Sequence, residues 1–195
     1  MGRPDASVVV PARNEASYIR GCLESLERLE TDLTYEIIVV DGASADGTAD
    51  VAREYDVTVL HGPGTGIATG RNLGAAQAEG DWLAFVDADT TVDPHWLDHL
   101  VEYAMAEDLV ATSARCRMRG IRARLVSGTI NHVFPRLRRP ILPGFNLVVD
   151  ETVFRAVGGF PTVPNEDTAL SRCLSRYGRV AYHPAVLVET SSRRV

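Results

Sequence analysis

The 195 residues contain no lysine; all 20 basic side chains are arginines. A phosphate loop of the Gly-rich, Lys-Ser/Thr kind is therefore excluded, although Gly62, Gly64 and Gly66 around Pro63 and Thr65 resemble one. A flexible loop is the better reading of that run. No Gly-x-Gly-x-x-Gly follows the first predicted strand, which argues against a plain dinucleotide dehydrogenase. No apolar run approaches the roughly 20 residues of a membrane-spanning helix. The start, Met1-Gly2-Arg3-Pro4-Asp5, lacks the apolar segment of a secretory signal. Cysteine is sparse: Cys22, Cys116 and Cys173 are far apart and odd in number. They fit neither a zinc pattern nor a disulfide framework, so buried free thiols and the cytoplasm are the expectation.

What is present is an ordinary globular composition, 45% hydrophobic and 24% charged, in a chain long enough for one domain with a proper core. The charge is uneven. Residues 115–139 hold eight arginines and no acid, while the rest of the chain holds 12 arginines and 26 acids. An acidic body with one basic segment argues against nucleic-acid binding, which wants a broad basic face. It suggests a local anionic partner, such as a phosphate group or an acidic membrane surface.

Strand and helix signals alternate. Strands are predicted at 7–10, 36–40, 57–60 and 82–86, with helices at about 16–30, 46–55 and 67–79 between them. Asp46 would cap the second helix. Asp93-Pro94 reads as the cap and first position of a fourth helix, whose apolar face is Trp96, Leu97, Leu100, Val101, Ala104 and Met105. Four strand–helix units predict a doubly wound, mostly parallel sheet flanked by helices. Further strands are expected at 109–112, 145–149, 180–182 and 186–188. Helices are expected at 151–157, closed by Gly158-Gly159, and at 167–177.

The strand at 82–86 ends in Asp87-Ala88-Asp89. Open α/β sheets bind ligands at their strand ends, and hard carboxylate oxygens suit Mg²⁺ or Mn²⁺ shared with substrate phosphates. Four other motifs accompany it in order: Val8-Val9-Val10-Pro11-Ala12-Arg13-Asn14-Glu15, Val39-Val40-Asp41-Gly42, Gly70-Arg71-Asn72-Leu73-Gly74, and Gly158-Gly159-Phe160 followed by Asn165-Glu166-Asp167. Together they resemble the family 2 glycosyltransferases, which have the GT-A nucleotide-sugar fold. The resemblance covers about residues 6–190. It implies one α/β domain over 1–195, with a nucleotide-sugar half at about 1–110 and an acceptor half at about 111–195.

The resemblance also implies roles. Pro11, Ala12, Arg13 and Glu15 with Asp41 would bracket base and ribose, and a carboxylate there can accept from ring N–H or ribose hydroxyl groups. Arg71 would neutralise diphosphate charge. Asp87, Ala88 and Asp89 would hold the donor, Asp89 binding the metal directly and Asp87 touching ribose or the metal through water. Asp167 would be the general base, with Glu166 and Asn146 on the acceptor side. Ser44, Asp46 and Gly47 read as turn and cap residues. Many similar enzymes complete the metal shell with a late histidine. That position falls on Glu189, with His183 in a different register, so either supplies the ligand or it is missing. Residues 115–142, both basic and apolar, would touch a membrane surface or a lipid-linked phosphate acceptor, and residues 191–195 would form a phosphate-binding tail. The expected reaction is metal-dependent, inverting sugar transfer from a nucleotide diphosphate, UDP before GDP, to a hydroxyl or lipid-phosphate acceptor. The alternatives are a non-catalytic nucleotide-sugar-binding module and, less well matched, a sugar-1-phosphate nucleotidylyltransferase.

Overall fold

The computed structural model describes residues 2–118 and 121–191. The first half alternates β1 (Ala6–Ala12), α1 (Ile19–Glu27), β2 (Tyr35–Asp41), α2 (Thr48–Ala52), β3 (Thr58–His61), α3 (Ile67–Gln77) and β4 (Trp82–Val86). These four strands are parallel, in the order β3-β2-β1-β4. β1 is apolar on both faces because both are covered. Val8 and Val10 pack with Ile19, Leu23 and Leu26 of α1, while Val9 packs with Ala68 and Ala75 of α3. α1 is shorter than its apolar spacing predicts, because residues 16–18 form a separate turn on the Glu15 carbonyl.

The second half runs β5 (Thr90–Val92), α4 (Trp96–Ala106), β6 (Leu109–Met118), α5 (Ile121–His132), a 3₁₀ turn at Phe134–Arg136, β7 (Asn146–Asp150), α6 (Glu151–Ala156), α7 (Glu166–Tyr177) and β8 (Arg179–Thr190). The eight-stranded order is β3-β2-β1-β4-β7-β6-β8-β5, with β7 antiparallel to both neighbours and β5 antiparallel to β8. Three expectations change. α4 starts at Trp96 rather than at Pro94, because the Asp93 carboxylate and carbonyl accept from His95 and Trp96 N–H and form a turn before the helix. The two late strands are one irregular strand, β8, whose register on β6 slips between Ala114 and Cys116. β5, not expected, pairs with a strand about 100 residues away.

These features shape the site. Four strand spacings separate β4 from β5 in the order, which in a flat sheet is about 19 Å. The chain from Val86 to Thr90 reaches at most roughly 14 Å. The sheet must therefore curl, and the β6–β8 pair within that span carries register slips of the kind that bend a strand. The connector that bridges the curl is Asp87-Ala88-Asp89 itself.

Candidate active site

The loops after β1, β2 and β3 are stapled to one another. Asn14 Oδ1 accepts from Ala45 N–H while Ser44 Oγ accepts from Asn14 N–H, both at 2.9 Å. Thr48 Oγ1 accepts from Glu15 N–H at 2.9 Å, and Asp46 accepts from Ala16 and Thr48 N–H. Asn14 and Ala43 hold left-handed backbone (φ 55° and 57°), a strain that these bonds hold in place. Ser44 and Asp46 thus serve the loops. Hydrogen bonding to Thr48 draws the Asp46 carboxyl below its ordinary range. Arg13 Nη1 donates to Gly64 O at 2.6 Å, and Gly64 sits so close to Gly42 that a Cβ would lie 2.6 Å from its carbonyl oxygen.

Between these loops and α3 lies a cleft of about 200 Å³ lined by Pro11, Ala12, Arg13, Val40, Gly42 and Gly70, among others. At its strand end Asp41 is buried. Its Oδ2 is 3.6 Å from His61 Nδ1, but Oδ1 has no hydrogen-bond partner among the described residues. A buried carboxylate oxygen left this way suits a ligand donor. Glu15 is buried at the same edge. Gly66 and Ile67 also border a second hollow, whose lining includes Thr162, Val163, Pro164 and Glu166, so the two hollows meet at the start of α3.

Arg71 joins the two sides. It is 3% exposed; Nη2 donates to Asp87 Oδ1 at 2.8 Å and Nη1 to Glu166 Oε1 at 3.0 Å. The guanidinium lies over the Phe160 ring (4.9 Å to the centroid), and a Cβ on Gly144 would fall 2.4 Å from Nη1. Its neighbour Asn72 clamps Phe160, donating to its carbonyl at 2.7 Å and accepting its N–H at 2.8 Å. Gly159, at φ 74°, is pressed against that amide, which explains the glycine before Phe160. Asp167 begins α7 beside Glu166. Burial pushes its carboxyl above the ordinary range, while the Thr168 and Gly144 N–H groups and Arg71 draw it partly back. A carboxyl so raised is suited to proton transfer.

The remaining candidates lie as follows. Asn146 is at the expected strand end, level with Val86, but wholly buried. Its amide accepts from Trp96 Nε1–H and donates to Ala114 O, both at 2.9 Å, so it supports the wall of the site from behind. Asp89 continues the β5–β8 ladder by accepting Ser191 N–H at 3.3 Å. Glu189 pairs in register with Thr91 and lines a groove with Asp93 and Arg117. His183 stacks on His99 of α4 (5.3 Å) and against Tyr103. Cys22 and Cys116 are buried, and burial, aided by Asp87 and Asp89, drives the Cys22 thiol far up. Cys173 is only half-buried. Residues 119, 120 and 192–195, which include part of the basic segment and most of the tail, lie outside the described residues. Gly144, Phe160 and Asn72 were not singled out as site residues from sequence. The faint signals were Pro143-Gly144 ahead of a strand and the Gly158-Gly159-Phe160 run.

The family model described as "Glycosyl transferase family 2" matches residues 7–158, which include the stapled loops, Arg71 and the acidic pair. The chain belongs to glycosyl transferase family 2. It is 30% identical over 207 residues to the pre-mycofactocin glycosyltransferase of Mycobacterium tuberculosis, a match covering 97% of this chain and 43% of that protein. It is 26% identical over 185 residues to the glycosyltransferase AglE of Haloferax volcanii, covering 81% and 56%. The chain thus spans about half the length of these relatives. Two solved structures share the fold of this family 2 domain. S. aureus TarS 1–349 with UDP-GlcNAc superposes with a TM-score of 0.79 at 18% identity, over 97% of this chain and 59% of that one. The Pyrobaculum calidifontis mannosyltransferase PcManGT with GDP-Man and Mn²⁺ gives 0.79 at 24%, over 100% and 59%.

Among the described residues of the family 2 domain, no three His, Cys, Asp or Glu side chains gather to cage an ion. Asp87 and Asp89 instead offer one or two carboxylates, the donor set with which Mg²⁺ or Mn²⁺ is held when substrate phosphates complete its shell. The acidic pair fits an ion of that kind. None of the described helices is long and apolar enough to cross a membrane.

Proposed function

We propose that this domain transfers a sugar from a nucleoside diphosphate, UDP in preference to GDP, to a hydroxyl or lipid-linked phosphate acceptor, with inversion at the anomeric carbon. The observation that carries the reading is the ion-paired bridge Glu166–Arg71–Asp87, which ties the half-buried, raised carboxyl of Asp167, next to Glu166, to the acidic pair after β4. Pro11, Ala12 and Arg13, which line the cleft, would border the base, with Glu15 buried behind them, and Asp41 Oδ1 would accept a hydrogen bond from base or ribose. Asp87 and Asp89, with Ala88 between them, face the diphosphate, and Asp89 would hold Mn²⁺ or Mg²⁺, with Glu189 as a further oxygen ligand. When bound, the ion supplies charge stabilisation for the departing diphosphate. Asp167 takes the proton from the acceptor hydroxyl as its oxygen bonds to the anomeric carbon and the carbon–phosphate oxygen bond breaks. The raised affinity of Asp167 for protons makes it a better base than an exposed aspartate.

Contact with an anionic membrane surface is part of the reading. Leu125, Val133 and Leu137 are exposed on α5 and just beyond it, beside exposed Arg136, Arg138 and Arg139.

A thermal-shift panel of UDP, GDP and their sugars, each with and without Mn²⁺, tests the donor. Saturation at 100-fold over Kd adds about 2.7 kcal/mol, or roughly 5–10 °C in a chain of this size. Asp167→Asn should fold, keep donor binding and lose turnover by 100-fold or more, and Asp89→Asn should lose the Mn²⁺-dependent shift. Near-normal turnover in Asp167→Asn would reject the base assignment.

A further inference from the structure

We infer that Arg71 is a positioning residue that sets the spacing between the donor-side carboxylate Asp87 and the acceptor-side pair Glu166–Asp167, rather than a group that contacts the diphosphate. The inference rests on the reading of Asp167 as base.

Asp87 follows β4 and Glu166 opens α7; the two are 79 residues apart and belong to different halves of the chain. One guanidinium bonds both, one Nη to each, at 2.8 and 3.0 Å. Its Cζ lies over the Phe160 ring, and Gly144 crowds Nη1 so closely that no side chain fits there. At 3% exposure, with both Nη groups engaged, the guanidinium presents little to a phosphate. Its Nε is buried with no hydrogen-bond partner among the described residues, so the fork is held by the two carboxylates and by packing. Gly144 also donates its N–H to Asp167, so the same backbone segment touches the guanidinium and the proposed base. Asn72 reinforces the arrangement from the next position on α3 by gripping the backbone of Phe160. A planar fork can bridge two carboxylates at fixed separation, whereas a lysine would supply one point charge and no plane.

Among the described residues, the charged and titratable groups that act on Asp167 or are acted on by it are Glu166 beside it, Arg71 from α3, and Tyr182 from β8. The Tyr182 hydroxyl donates to Ile141 O, and burial keeps it protonated. Arg71 and Glu166 therefore pull the Asp167 carboxyl in opposite directions, down and up respectively. Asp87 acts on it through Arg71.

The test compares Arg71→Lys, Arg71→Met and Glu166→Gln in kcat, donor KM and the pH dependence of kcat. Arg71→Lys should lose at least tenfold in kcat with donor KM within about twofold. In Arg71→Met the acidic limb of the profile should move up by roughly one pH unit, because a cation beside the base is gone. In Glu166→Gln, isosteric and expected to fold, the limb should move down, because an anion is gone and the cation is less compensated. A donor KM that rises with kcat at saturation intact would make Arg71 a diphosphate contact and overturn the inference. A lower melting temperature with kcat and both limbs unmoved would make it merely structural and also overturn it. If neither Arg71 variant folds, Glu166→Gln, which weakens one arm of the fork, decides through kcat and KM: a tenfold loss in kcat with donor KM held supports the inference, and an unchanged kcat overturns it. Should Asp167→Asn itself retain turnover, the functional reading fails first; loss of turnover there with unmoved limbs in the other variants defeats only this inference.

Discussion

Replacing Asn146 by alanine is the sharpest test of how the site is supported. Asn146 and Trp96 have no exposed surface, and the amide is bonded to the indole N–H and to the Ala114 carbonyl. Alanine leaves both groups in the core without their partner. Each buried polar group so stranded costs about 1–3 kcal/mol, so the pair implies a loss of roughly 4 kcal/mol before any cavity is counted. For a chain of this length that corresponds to a fall of about 8–16 °C in Tm. Urea and thermal unfolding measure it directly. A cycle with Trp96→Phe adds a check: once the amide is absent the indole has no bond left to lose. The double variant should therefore fall short of the sum of the two by about 1 kcal/mol. A loss under about 1 kcal/mol for Asn146→Ala, additive with Trp96→Phe, would refute the network as a support. Because Asn146 is level with Val86, the last residue before the acidic pair, donor binding should weaken along with stability.

Two further experiments address other parts of the molecule. Gly74→Ala and Gly128→Ala should have opposite signs. A Cβ at Gly74 would lie 2.4 Å from Val9 Cγ1, an overpacking of about 1–3 kcal/mol that outweighs the gain in helix propensity. One at Gly128 of α5 meets nothing within 4 Å and should stabilise by up to about 1 kcal/mol in urea unfolding. In sedimentation with vesicles, the protein should bind those containing phosphatidylglycerol but not pure phosphatidylcholine, and release as salt rises. Equal binding to both, or none, would remove the membrane contact.

Much of the fold was legible because its signals are local. The apolar runs before Pro11, Asp41 and Asp87 mark buried parallel strands, and Ile19, Leu23 and Leu26 mark the face of α1. Gly158-Gly159 marks the end of α6, where both residues do take positive φ. What escaped depends on distant partners. Thr90–Val92 is too short to declare itself a strand and becomes one only by pairing with β8. The sequence reads as two strands, at 180–182 and 186–188, yet β8 continues through Pro184 with a change of register. At the site, the residue types and their strand ends could be read in advance. The partners of Arg71 could not, since Glu166 is 95 positions away and nothing in the α3 segment names it. Asn146 likewise looked available at its strand end, until the indole of Trp96 proved to occupy its amide.

The curl of the sheet gives the acidic segment a mechanical character. Three residues span a gap that a flat sheet would make too wide, so Asp87, Ala88 and Asp89 couple its middle directly to its far edge. The far end of the segment is anchored by the pairing of Thr90–Val92 with residues 188–190 of β8. In the proposed reading, the donor is therefore held by a segment whose two ends answer to different parts of the sheet.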